Sequence, residues 1–415
     1  MPVRTAFRRF ATTACLILLA GGCYWSVLLA WADHLYRVST VESVREALRR
    51  VPGNAEYHAR LAALAEAAGV RDQEVEAELR SAVAANPRMA ETWISLALRA
   101  ETHGDLAGAE AYLSRALHVD RMYATEWTAA NFYFRNRQSE KFWPAARAAL
   151  GVGDVRAYDP APLFQLCWKT SRDAHVVLNR AIPDVGAVEA RYLEFLVHEN
   201  LSSVAEPVTQ RVVAFAGDGD LGAVFEYCDR LITAGEAVGA VHAWNALCWR
   251  SLHRFRPLQP AERASLTNGD FSADPVQHGF DWRMPAAAGV TAERGGLPPR
   301  LWITLDGRQP EICELVEQYL ALAPTRKYRL QFRYQTDGIE AGSGVRWRVE
   351  DLRGEELPST SEDLASEQES GGVVRFSNGA GVFLAKLVLE YRRRPGATRI
   401  EGRVSIGGLS LEFDR

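Results

Sequence analysis

Three patterns of apolar and polar positions follow one another along the chain. The first is a run from Phe10 to Ala32 with no charged residue, preceded by Arg4, Arg8 and Arg9 and closed by Asp33. Its 23 residues exceed the roughly 20 that a helix needs to cross a bilayer. The second pattern, over residues 41–255, alternates Ala- and Leu-rich stretches of helical spacing with short Gly, Asp or Pro turns. The third begins after Pro257 and Pro260, where the period becomes two. Tyr328, Leu330, Phe332 and Tyr334 alternate with Arg329, Gln331 and Arg333. Val345, Trp347 and Val349 alternate with Arg346 and Arg348. Phe383, Ala385, Leu387, Leu389 and Tyr391 do so with Lys386, Glu390 and Arg392, and Ile400, Val404 and Ile406 with Arg399, Glu401 and Arg403. Strands with one apolar face predict a β-sandwich over 264–415, joined to the helices by a linker at 256–263.

The charge asymmetry around the first run sets its orientation. Arginines stay on the cytoplasmic side, which makes 1–9 a cytoplasmic tail, 10–32 a transmembrane anchor and the remainder external. Tyr24, Trp25 and Trp31 fall in its second half, and Trp31 suits the outer interface. Two other fates fit local strings. Ala30-Trp31-Ala32 resembles a signal-peptidase site, and Cys23 after Ala20-Gly21-Gly22 loosely resembles a lipidation site. The run is longer than the apolar part of a secretory signal, which favours the uncleaved anchor.

Within 41–255 the sequence repeats. Trp93 and Trp127 are 34 residues apart, as are Leu79 and Leu113, and Ala82 and Ala116. In the unit that starts at Ala90, Trp93, Leu96, Ala97, Gly104, Ala109, Leu113 and Ala116 mark large, small and turn positions. This unit resembles the tetratricopeptide repeat. Small residues let two antiparallel helices approach closely, while Trp93 and Leu113 fill the gaps between hairpins. The unit before it keeps Leu79, Ala82 and Pro87, and the unit after it keeps Trp127 and Phe134. Two weaker hairpins are read at Tyr192–Val212 and Phe225–Cys248 in an otherwise irregular array. The resemblance implies an all-α helical solenoid whose concave face docks a protein segment. A spacer that only sets distance from the membrane remains the alternative.

The last region opens with Asn268-Gly269-Asp270-Phe271 and closes with Val404-Ser-Ile-Gly-Gly-Leu-Ser-Leu-Glu412. Over roughly 264–414 it resembles the carbohydrate-binding-module jelly rolls of the galactose-binding-like superfamily. Joined to an anchor and repeats, it resembles proteins of bacterial exopolysaccharide gene clusters. That resemblance implies a single-pass inner-membrane protein with its bulk in the periplasm. Two departures stand out: Ser272 and Gly407-Gly408 occupy places where such domains often carry acidic calcium ligands. Asn268 and Asp270 alone supply too few oxygens, so no metal or cofactor is expected.

The polar positions of the predicted strands are rich in arginine. Arg329, Arg333, Arg346 and Arg348 are read as one solvent face able to bind an acidic polysaccharide, with Trp302 or Trp282 stacking on a sugar ring. Trp347 belongs to the apolar face. Residues 350–369 hold eight acids and one base, Arg353, which predicts an exposed loop that partly neutralises the arginines.

Composition narrows the functions. A chain of 415 residues allows two or three domains, and a net charge of −4 argues against a nucleic-acid partner. Six cysteines make no disulfide framework, and a Cys228–Cys248 bond stays open. No nucleophile elbow, phosphate loop or zinc-protease string is present, and the nine histidines are scattered. No catalytic residue is assigned. The expectation is a non-enzymatic, membrane-anchored scaffold for cell-envelope proteins that contacts polysaccharide. The alternatives are a glycan-blind interaction scaffold and an envelope hydrolase.

Overall fold

The computed structural model describes the backbone of residues 2–414 and the side chains from Thr13 onward, Thr360 and Arg415 excepted. Met1, Arg415 and the side chains of Arg4, Arg8 and Arg9, on which the cytoplasmic tail rests, lie outside the described residues. The chain folds as two compact units, Met1–Ala157 and Tyr158–Arg415. The division falls inside the helical region.

The first unit begins with α1 (Pro2–Val38) and α2 (Val41–Arg50). Three helical hairpins follow: α3 (Ala55–Ala67) with α4 (Asp72–Ala85), α5 (Ala90–Thr102) with α6 (Leu106–Val119), and α7 (Tyr123–Arg135) with α8 (Ser139–Leu150). From Thr13 to Val38, α1 is long and apolar enough to cross a membrane, and none of its apolar window is buried. Its last turns behave differently. Ala32 is fully buried, and with Leu35 and Tyr36 it packs on Val44, Leu48, Tyr57 and Leu61. Helix starts are written locally, with Thr40, Asn54 and Asp105 each accepting a backbone N–H of the first turn.

The second unit holds α9 (Ala161–Ser171), α10 (Ala174–Arg180), α11 (Gly186–His198), α12 (Glu206–Phe215), α13 (Gly222–Thr233) and α14 (Ala237–Arg250). Its sandwich comprises β1 (Val290–Gly295), β2 (Arg300–Asp306), β3 (Ile312–Ala321), β4 (Lys327–Asp337), β5 (Val345–Asp351), β6 (Ser359–Thr360), β7 (Ser370–Ser377), β8 (Leu384–Arg392) and β9 (Glu401–Phe413). One sheet has the order β1-β2-β9-β4-β7-β6 and the other β3-β8-β5. All pairs are antiparallel. Their inner faces share one core that includes Leu301, Leu330, Trp347, Leu389 and Ile406. This is the expected fold class: an apolar N-terminal helix, helical hairpins and an antiparallel sandwich.

After β2 the chain changes sheet at almost every step. β4, β7 and β9 lie in the larger sheet, while β3, β5 and β8 lie in the smaller. Strand β9 also carries a bulge: its register against β4 shifts between Gln331 and Arg333, beside Gly408 at φ +60°. The extra residue switches which parity faces inward, from Val404 and Ile406 to Leu409 and Leu411.

Helix pair α13–α14 and the sandwich are joined by specific contacts. The Asn245 side chain donates to the Leu258 carbonyl (2.9 Å) and accepts from its N–H (2.7 Å). Leu258 is buried. Asp229 of α13 accepts from the Gly279 N–H (2.7 Å), pairs with His278 (2.6 Å) and binds the Arg283 guanidinium. Gly279 has φ +57° and lies against Trp244, where a Cβ would stand 2.3 Å from the indole. Residues 256–263, read as a linker, are thus held to α14 at Leu258.

Candidate functional site

The arginines expected on one face divide between two. Arg329 and Arg333 project from β4 on the outer face of the six-stranded sheet. Arg346 and Arg348 project from β5 on the outer face of the three-stranded sheet, on the opposite side of the sandwich. Alternation of period two tells which side of its own strand a residue takes, but not which sheet the strand joins. The chain's crossing between sheets separates the pairs.

On the three-stranded sheet the charges satisfy one another. Glu390, whose side chain is 1% exposed, accepts from Arg346 (3.0 Å) and Arg348 (3.1 Å). Arg348 also reaches Glu314 (3.1 Å) and Glu350. Lys386 binds Glu314 (3.0 Å), Glu350 (3.0 Å) and Glu317 (3.3 Å). Burial pushes the Glu317 carboxyl up, reinforced by its hydrogen bond with Glu314. Burial raises Glu314 too, but the bond from Lys386 and its neighbours hold that carboxyl below its ordinary value. Arg346 and Arg348 are therefore parts of a closed ion-pair network rather than a free anion-binding face.

The outer face of the six-stranded sheet is different. Trp302 on β2 stands half-buried opposite Ser405 of β9, which in turn lies opposite Gln335 of β4. The Arg403 guanidinium sits 4.9 Å from the centre of the Trp302 ring, a cation–π contact. Arg403 is exposed and pairs with no carboxylate among the described residues. In the neighbouring row, Gly407 lies opposite Arg333 and beside Arg300, and a Cβ on Gly407 would meet Arg300 Cγ at 3.0 Å. Glu369 from the acidic segment reaches across this gap. Its carboxylate binds Arg300 and, at 2.9 Å, Arg333. Arg329 is engaged by Glu412 at 3.0 Å. The acidic segment does neutralise part of the face.

Trp282 takes no part in this surface. It is fully buried, stacks on Phe271 (5.4 Å) and packs near Trp347 (6.2 Å), so the sugar-stacking role read for it is corrected to a core role. Its indole N–H donates to the Asn268 carbonyl at 3.0 Å. The Asn268 side chain closes the opening loop by bonding both polar groups of Ala273.

In the first unit, the α5 residues Leu96 and Ala97 and the α6 residues Ala109, Leu113 and Ala116 are all buried. Gly104 makes the turn between them at φ +79°. Trp93 stacks on Tyr112 (5.8 Å) and donates to the Pro87 carbonyl, while Trp127 stacks on Tyr123 (6.5 Å). The sequence reading missed a set of charged ties between successive hairpins: Arg99 with Glu66 and Asp72, Arg135 with Glu101, and Lys141 with Glu110. Opposite charges recurring near the repeat period were the available signal.

The second unit offers a cleft of about 590 Å³ lined by Asn200, Glu206, Tyr227, Arg230 and Glu236. Burial, with Glu206 nearby, pushes the Tyr227 hydroxyl up to about 12. Phe215 and Trp249 stand exposed near the C-terminal ends of α12 and α14, which Arg250 ties together by donating to the Ala216 carbonyl. Cys228 and Cys248 are buried free thiols, both pushed up by burial. Among the described residues no group of His, Cys, Asp and Glu side chains is arranged to hold a metal ion.

No protein-family model matches the chain. No curated protein matches it either. Among solved structures, a CBM4 domain shares 11% identity over 36% of this chain and 100% of its own, with a TM-score of 0.30. PilF of Pseudomonas aeruginosa shares 14% over 48% of this chain and 92% of its own, with a TM-score of 0.26. YrrB, a TPR protein with an unusual peptide-binding site, shares 10% over 51% and 94%, with a TM-score of 0.25.

Proposed function

We propose that this chain is a non-enzymatic, membrane-anchored scaffold of the bacterial envelope. Its helical hairpins dock a protein partner, and its sandwich contacts an anionic polysaccharide during exopolysaccharide assembly or export. The observation that carries the polysaccharide part is the outer face of the six-stranded sheet, where Trp302 and Arg403 lie beside Arg300 and Arg333. A flat indole offers a stacking platform for a sugar ring, and guanidinium forks match carboxylates. Anchoring is supported by the exposed apolar length of α1 and by burial of Ala32. Signal-peptidase cleavage after Ala32 would remove that side chain from the core. On this reading Arg4, Arg8 and Arg9 stay cytoplasmic and the rest of the chain is periplasmic.

The pairing of Glu369 with both Arg300 and Arg333 favours a second reading, a protein-interaction scaffold whose sandwich is blind to glycans. Binding of the full chain in detergent to immobilised polygalacturonate and to a neutral β-glucan separates the two. Salt-sensitive retention on polygalacturonate alone supports the first. No retention on either supports the second.

A further inference from the structure

The Glu369 carboxylate is held in a clamp that an anionic ligand could use. Arg300, whose side chain is 12% exposed, and Arg333, at 71%, approach it from two strands across Gly407. Gly407 lies opposite Arg333, and the absence of a Cβ there leaves room for the Arg300 stem. The Arg300 guanidinium, then that of Arg333, holds the Glu369 carboxyl below the usual carboxylate range, so it is ionised at neutral pH. The segment bearing it is anchored separately. Thr336 and Ser366 exchange hydrogen bonds of 2.7 and 2.8 Å, and Gln335 donates to the Glu367 carbonyl at 2.9 Å. Glu369 itself remains 40% exposed, so its side chain can turn away while the backbone stays in place.

We propose that Glu369 is an internal competitor that occupies the Arg300–Arg333 clamp until the carboxylate of a uronic-acid residue displaces it. A uronate carries its carboxylate one bond from a ring with flat C–H surfaces. Trp302, two positions along β2 from Arg300 on the same outer face, supplies the matching flat surface. Displacement makes binding selective: a neutral sugar offers nothing to replace the ion pairs it would break, whereas a uronate replaces them in kind. This inference rests on the polysaccharide reading and adds to it the ligand's charge class and an autoinhibitory contact.

The test is the affinity of the full chain in detergent for galacturonate oligomers and for a neutral β-glucan oligomer, with Glu369→Gln, Arg333→Gln and the double variant compared with the native protein. Glu369→Gln should bind galacturonate about fivefold tighter, the scale expected for releasing a paired, half-exposed carboxylate. The double variant should lose that gain, and the neutral oligomer should gain less than galacturonate from Glu369→Gln, because it brings no carboxylate to the vacated clamp. Equal galacturonate affinity in the native protein and Glu369→Gln, with both weakened by Arg333→Gln, overturns the competitor role and leaves polysaccharide binding standing. No binding by any variant overturns both.

Discussion

Replacing Gly279 by alanine tests the joint between α13–α14 and the sandwich. The added Cβ would stand 2.3 Å from one indole carbon of Trp244 and 2.5 Å from another, and Trp244 is fully buried between Phe255 and Phe280. The ring therefore cannot swing aside cheaply. Overpacking of this kind costs about 1–3 kcal/mol. The backbone sits at φ +57°, where an L-residue adds about 1–2 kcal/mol. Together about 2–5 kcal/mol is expected, which lowers the melting temperature of a unit of this size by roughly 5–15 °C. Thermal unfolding of the full chain in detergent, followed by near-UV circular dichroism, reads the effect. Gly381→Ala is the control, because nothing lies within 4 Å of its added Cβ. An unchanged melting temperature in Gly279→Ala would refute the claim that Gly279 is locked against Trp244.

Three further outcomes follow from the geometry. Trp282→Ala should cost about 3–5 kcal/mol in urea unfolding, whereas Trp302→Ala should leave stability nearly unchanged and abolish polygalacturonate binding; the reverse pattern would mean the two tryptophans have been assigned the wrong way round. Glu390→Gln leaves Arg346 and Arg348 without their shared buried carboxylate, and about 3 kcal/mol of stability should be lost. A loss under about 0.5 kcal/mol would place that network in the class of surface pairs. Burial holds the Asp281 carboxyl above its ordinary value. Its contribution is then fully present below the ordinary carboxylate value and lost as pH rises through the raised one. Asp281→Asn should flatten denaturant midpoints on the alkaline side of about pH 4, and a curve parallel to the native one would count against it.

The sequence carried the period of each region but little of how the regions meet. Helical spacing and the turn at Gly104 located α5 and α6, because small residues at Ala97, Ala109 and Ala116 report a close helix contact directly. Alternation located β4, β5 and β8 to within a few residues. It could not place Arg346 and Arg333 on opposite faces, since sheet membership depends on the long-range crossing of the chain. The bulge at Gly408 was hidden for a related reason: a single inserted residue leaves alternation intact on either side and shows only in pairing. Trp282 read as a stacking residue because an aromatic in a loop-like string carries no sign of burial. Asp229, Gly279 and Trp244 are at least 35 residues from at least one member of their cluster, so nothing local marks them as a joint.

The central claim is that anionic polysaccharide is bound by the outer face of the six-stranded sheet and not by that of the three-stranded sheet. Equilibrium binding of polygalacturonate to the full chain in detergent, compared among the native protein, a Trp302→Ala/Arg403→Gln variant and an Arg346→Gln variant, tests it directly. Binding lost in the first variant and retained in the second is the predicted result. Binding lost with Arg346→Gln, or retained in both folded variants, would contradict it.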